Sequence, residues 1–65
     1  MSFGINDPQV GQRVEISPHY DLWMMGARFG IIHSILWNGL IRVELDHPGV
    51  RGTQIFPAKD LKLVR

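Results

Sequence analysis

The run Phe29-Gly30-Ile31-Ile32-His33-Ser34-Ile35-Leu36-Trp37-Asn38-Gly39-Leu40-Ile41-Arg42-Val43-Glu44-Leu45 constrains this chain more than any other stretch. Two segments rich in β-branched and aromatic residues meet at Asn38-Gly39, the dipeptide that most readily takes positive φ at both centres of a type I′ turn. The pattern predicts a tight β-hairpin. Its second arm alternates cleanly, with Ile41, Val43 and Leu45 inward and Arg42 and Glu44 outward. Its first arm, Phe29 to Trp37, does not. Ile31, Ile35 and Trp37 share one parity and Ile32 and Leu36 the other, so one buried face cannot hold them all. Either a bulge near His33-Ser34 sends Ile32 and Ile35 to the same core, or a second subunit covers the remaining face.

Chain length makes that surplus of apolar side chains matter. The 65 residues form one domain, 1–65, in which 1–10 is read as an arm and a short helical turn. A domain so small buries only about 60% of the surface its unfolded chain exposes. The chain has no cysteine, hence no disulfide and none of the thiolates that most structural zinc sites use. Oligomerisation is the reinforcement left open. The net charge of +1 announces no strong field toward a polyanion or a membrane. No apolar run approaches the roughly 20 residues of a membrane span, and Met1 to Pro8 lacks the charged start and apolar core of a secretion signal. These features lead us to expect a soluble cytoplasmic protein with no membrane partner, and the missing cysteines fit a reducing compartment.

The rest of the chain reads in order. After a loose arm, Met1 to Ile5, Asp7 can N-cap and Pro8 suits a first helical position, so one helical turn is expected before Gly11. Arg13 to Ile16 reads as a short strand with Val14 and Ile16 inward, ended by Ser17-Pro18. His19 to Ala27 has no period yet carries Tyr20, Leu22, Trp23, Met24 and Met25. Such a loop is either a plug over an open barrel end or an exposed contact surface. Asp46-His47-Pro48-Gly49 suits a type II turn, Val50 to Phe56 a fourth strand, Pro57 to Asp60 a 3₁₀ turn, and Leu61 to Val64 a last strand. The sum is an all-β chain of five short strands in a small, strongly bent barrel.

This order resembles the SH3-like small barrels, a fold that hosts many unrelated functions. Within them, the hairpin and fourth strand resemble Sm-like proteins: Gly30, Ile32, Ile35, Ile41, Val43 and Leu45 follow that family's first motif, and Val50-Arg51-Gly52-Thr53-Gln54-Ile55 its second. The resemblance implies a ring closed by the strand after Arg51-Gly52, and single-stranded RNA held by Asn38 and Arg51. Leu36 stands where the family has an acidic residue. His47-Pro48-Gly49 followed by Gln54-Ile55-Phe56-Pro57 is similar to the type II dihydrofolate reductases, which assemble around a central pore. Phe56 replaces their tyrosine, and their first-strand lysine has no counterpart near Ile16-Ser17. Gly11-Gln12-Arg13-Val14, Gly30-Ile31-Ile32 and Pro57-Ala58-Lys59-Asp60-Leu61 are similar to KOW modules and to the SH3-like proteins of tailed phages, and imply barrel corners rather than chemistry.

The residues themselves offer little for catalysis. His19, His33 and His47 match no metal-ligand spacing, Ser17 and Ser34 lack a glycine elbow, and no helix follows Gly26 or Gly30 to cradle a phosphate. We therefore expect a non-enzymatic protein with no cofactor and no metal, with folate reduction as the enzymatic alternative. Nucleic-acid binding needs cations for phosphate and flat rings for bases. Arg28, Arg42, Arg51, Lys59, Lys62 and Arg65 are spread along the chain, and Trp37 beside Asn38 is either a stacking platform at the hairpin tip or a ring packed on the greasy first loop. The candidate nucleic-acid residues are Arg51, Gly52, Asn38 and Trp37. The candidate subunit contacts are Ile31, Ile35, Trp23, Met24, Met25, Ile55 and Phe56. The expected partners are further copies of the chain, in a ring, and single-stranded RNA. A structural or protein-binding barrel is the alternative of a different class.

Overall fold

A computed structural model describes residues 3–64; Met1 and Ser2 of the expected arm, and Arg65, lie outside them. The strands are β1 (Arg13–Ile16), β2 (Phe29–Ile35), β3 (Leu40–Leu45), β4 (Thr53–Pro57) and β5 (Leu61–Leu63), with one helical turn, α1 (Asp21–Met24), and a 3₁₀ turn at Ala58–Asp60. They form one antiparallel sheet in the order β4-β3-β2-β1-β5. The expected all-β architecture of five short strands is present, but β4 and β5 are not hydrogen-bonded to one another and the sheet is not closed. No helix among the described residues is long and apolar enough to cross a membrane.

The sheet bends over its own core. Val14 and Ile16 from β1, Ile32 from β2, Ile41, Val43 and Leu45 from β3, Phe56 from β4 and Leu61 from β5 meet in one buried cluster with Ile5 and Ala27. Cross-strand partners share a face, and the register explains the set: Ile32 lies opposite Val43, Ile41 opposite Phe56, and Ile16 opposite Leu61. Gly30 permits the bend. It pairs with Val14 on one side and Leu45 on the other, and a Cβ there would sit 2.6 Å from the Glu44 carbonyl oxygen and 2.7 Å from Val43 Cγ1. No side chain fits so close an approach.

The mixed parity of β2 resolves through a bulge. The register shifts between Ile32 and Ser34, leaving His33 as the extra residue. The shift moves Ile35 to the inner face, opposite Ile41, as one of the two sequence readings had it. Ile35 nevertheless stays 45% exposed because it lies at the rim, where no further strand covers it. Ile31, on the outer face opposite Glu44, is exposed too.

Some boundaries differ from expectation. Residues 7–12 form a turn closed by Gln12 N–H on the Gln9 carbonyl (3.2 Å), not a helix. Gln9 N–H turns to the Gln12 side chain (2.9 Å) instead of starting a helical ladder. The helical turn falls instead at Asp21–Met24, inside the segment read as a loop. The fourth strand starts at Thr53 rather than Val50 because Gly52, at φ +72°, breaks the extended run. The preceding turn closes from His47 to Val50 (3.1 Å) without positive φ at Gly49, whose N–H is taken by His47 Nδ1 (3.0 Å). The type II geometry is thereby avoided.

The greasy first loop divides in two. Tyr20, Leu22 and Trp23 fold back onto the core. Tyr20 packs edge-on against Phe56 (5.0 Å between centroids) and donates its hydroxyl to Asp60 Oδ2 at 2.6 Å. Burial first, then the hydrogen bond and the charge of Asp60, push the Tyr20 phenol up to about 12. Trp23 lies beneath the Arg28 guanidinium at 3.9 Å. Met24 and Met25 remain outside, 75% and 59% exposed. The loop is a plug at its start and a surface at its end.

Candidate nucleic-acid interface

The hairpin tip is a rigid mount for an exposed ring. Asn38 and Gly39 take φ +60° and +71°, the pair of positive angles that a type I′ turn requires. Leu36 N–H bonds the Leu40 carbonyl (2.8 Å) and Leu40 N–H the Trp37 carbonyl (3.2 Å). A third bond adds one more rung to the β3–β4 ladder at the tip, where Ala58 N–H donates to the Gly39 carbonyl at 2.7 Å. On this mount Trp37 is 78% exposed. Asn38 beside it is exposed, and its amide meets no hydrogen-bond partner among the described residues.

The same bond sets beside the tip a cation that, in the sequence, is one of several spread along the chain. Lys59 follows Ala58 in the 3₁₀ turn, is exposed, and forms no ion pair among the described residues, where the one salt bridge joins Lys62 to Glu15 (3.7 Å). Nothing in its local sequence marks it, because its place beside the tip comes from a contact between positions 39 and 58. Trp37, Asn38 and Lys59 therefore supply a flat ring, an amide and a positive charge at one end of the molecule.

Arg51 and Gly52 are elsewhere. They sit in the loop between β3 and β4, at the opposite end of β3 from the tip. Six residues of strand put about 20 Å between the two places at the usual rise. One chain does not bring the four sequence-predicted nucleic-acid residues together. Arg51 is exposed and unpaired among the described residues.

The predicted contact residues separate by face. Ile55 is 51% exposed on the outer face of β4, in one row with Arg42 and Ser34. Phe56 is not available for a subunit contact: it faces inward opposite Ile41 and is buried under Tyr20. Trp23 is half-buried and engaged by Arg28, with its indole N–H 3.5 Å from Glu15 Oε2. Ile31 lines an open cavity of about 360 Å³ with Arg13, Gly30, Glu44, Leu45 and Asp46. His19 bonds Ser17 (2.6 Å), His33 contacts Ser34, and His47 closes its own turn. Among the described residues no group of three or more His, Asp or Glu side chains lies together as a metal site would need.

No family model, curated protein or solved structure matches this chain.

Proposed function

We propose that this chain is a non-enzymatic module that binds single-stranded nucleic acid at its hairpin tip and works as a homo-oligomer. RNA is the ligand that the likeness to Sm-like proteins implies. The observation that carries the reading is Trp37, a large ring held in water on a turn fixed by its own backbone angles and by the Ala58 tether. A base stacks on such a ring whatever its identity, while Lys59 meets a phosphate. The folate-reductase alternative loses support because Phe56, which takes the position of that family's tyrosine, lies in the core. A protein-binding barrel is favoured instead if the exposed Met24-Met25 pair proves to be the functional surface.

Titration with oligo-U and oligo-dT at low salt, followed by tryptophan fluorescence, tests the proposal. Stacking quenches Trp37 and leaves the Trp23 signal. Trp37→Ala weakens binding by about 5- to 150-fold, the range for losing one stacked base. Added salt weakens it further. If neither strand binds at low salt, the reading fails.

A further inference from the structure

The outer edge of β4 is open and chemically uniform. Ala58 N–H points toward the hairpin, to Gly39, and backbone groups along a strand alternate between its two sides. Phe56 and Gln54 therefore bond β3, opposite Ile41 and Val43, while Ile55 and Thr53 turn their N–H and C=O outward. Pro57 falls in the outward set, where a missing N–H costs the sheet nothing. Among the described residues no backbone hydrogen bond from another segment reaches this edge. The strand Thr-Gln-Ile-Phe-Pro carries no charge, and exposed Ile55 is its centre.

We propose that β4 pairs antiparallel with β4 of a second copy across a two-fold axis at Ile55, and that this pairing completes the nucleic-acid site by setting Arg51 of each copy beside the Trp37–Asn38 tip of the other. The dimer half stands on the edge alone; the composite site rests on the proposed function. With Ile55 opposite its twin, the two exchange both backbone hydrogen bonds, and each Thr53 N–H meets the Pro57 carbonyl across the axis. Leu40 lies beside Pro57 in the ladder, so it is level with Thr53 of the second copy. One and two residues further on, Gly39 and Asn38 are level with Gly52 and Arg51 of that copy. About two strand spacings, roughly 10 Å, then separate Asn38 from the other copy's Arg51. An arginine side chain and one nucleotide span that gap, which they do not span within one chain.

The occupant is a second copy because the five residues of the strand hold no charge to repel their twins and an isologous contact closes at two; just beyond the strand the same register sets Arg51 of each copy opposite Lys59 of the other, two cations that a bound phosphate offsets. A ring contact from β4 to β5 of a neighbour is less suited, since Gly4 N–H already occupies the Leu61 carbonyl (2.7 Å) and Lys62 guards that strand. Five residues of strand bury less than the roughly 1,000 Å² of a stable interface. The pair is accordingly weak alone and tightened by a strand that touches both copies.

The chain has no cysteine, so one introduced thiol can bridge only between copies. A hydrogen-bonded antiparallel pair sets its Cα atoms about 5.5 Å apart, within disulfide range. Ile55→Cys should cross-link under mild oxidation at least tenfold faster than Leu63→Cys, a similarly exposed position on β5. Equal rates overturn the pairing, whatever nucleic acid does, and leave the edge to a strand of another protein. For the composite site, Trp37→Ala and Arg51→Ala are mixed. Random exchange between copies gives mixed dimers with one intact site each, about a quarter of the wild-type sites. Recovery of that order, for oligo-U and oligo-dT separately, supports the composite. No recovery while the wild type binds overturns it and leaves the dimer standing. A wild type that binds neither strand removes the composite together with the proposed function.

Discussion

The two strands that border the sheet are built in opposite ways. β5 has three residues; Leu61 is buried, its carbonyl is capped by Gly4, and Lys62 sits between Glu15 and the Phe3 ring, 3.7 Å and 5.5 Å away. β4 has five residues, no charge, an exposed isoleucine at its centre and only Pro57 as a stop. Short length, a lysine and a covering segment are the usual means by which proteins blunt an edge. β5 has all three and β4 has almost none. One border is thereby covered, and the other leaves its outer backbone groups open among the described residues.

Breaking each border should cost very different amounts. Leu61→Ala empties a fully buried site on β5 and should destabilise the fold by about 3 kcal/mol in urea titration. If it costs no more than a surface change, β5 is not the packed border described. Gly30→Ala attacks the bend that carries the sheet from one border to the other, where the new methyl meets the Glu44 carbonyl. Roughly 2 kcal/mol is expected, seen as a lowered thermal midpoint, because the neighbour is backbone and yields little.

A smaller effect belongs to the tie between the first loop and the turn that leads into β5. Tyr20→Phe removes the hydroxyl that Asp60 accepts and should cost about 1 kcal/mol. The same residue gives a pH signature. Its phenol ionises at 10.0 in an ordinary setting and at about 12 in the fold. Between these values the unfolded chain releases the proton more readily, so its contribution is complete below pH 10 and is lost as pH rises toward 12. Denaturation midpoints compared for wild type and Tyr20→Phe isolate that loss from the titration of lysines. Smallest of all, Ile55→Lys should change stability by no more than about 0.5 kcal/mol, yet place like charges face to face across the proposed axis. Light scattering at high protein concentration should then report only the 7.4 kDa protomer.

The hairpin was legible because Asn38-Gly39 encodes its turn locally, and the core residues of β3 because strict alternation encodes their face. The bulge in β2 was legible as one of two options, since mixed parity says that something must give but not what. The helical turn at Asp21–Met24 was not legible; four residues are too few to show a period. Lys59 was legible only as one cation among several, not as a neighbour of the tip. Its position depends on a hydrogen bond between distant parts of the chain, and no spacing in the sequence reports that. The inward turn of Phe56 was hidden too, because its neighbour Ile55 is equally apolar and only the pairing with Ile41 decides which of them faces in. Arg51 and Asn38 stood close in motif and lie apart in space, because β3 runs between them.

The free border of β4 is tested most directly by amide hydrogen exchange read residue by residue at rising protein concentration. Gln54 and Phe56, bonded to β3, should be protected at every concentration. The Ile55 and Thr53 amides should exchange freely when dilute and slow together as copies pair. An Ile55 amide already protected in dilute solution, or still unprotected at millimolar protein, would contradict the account.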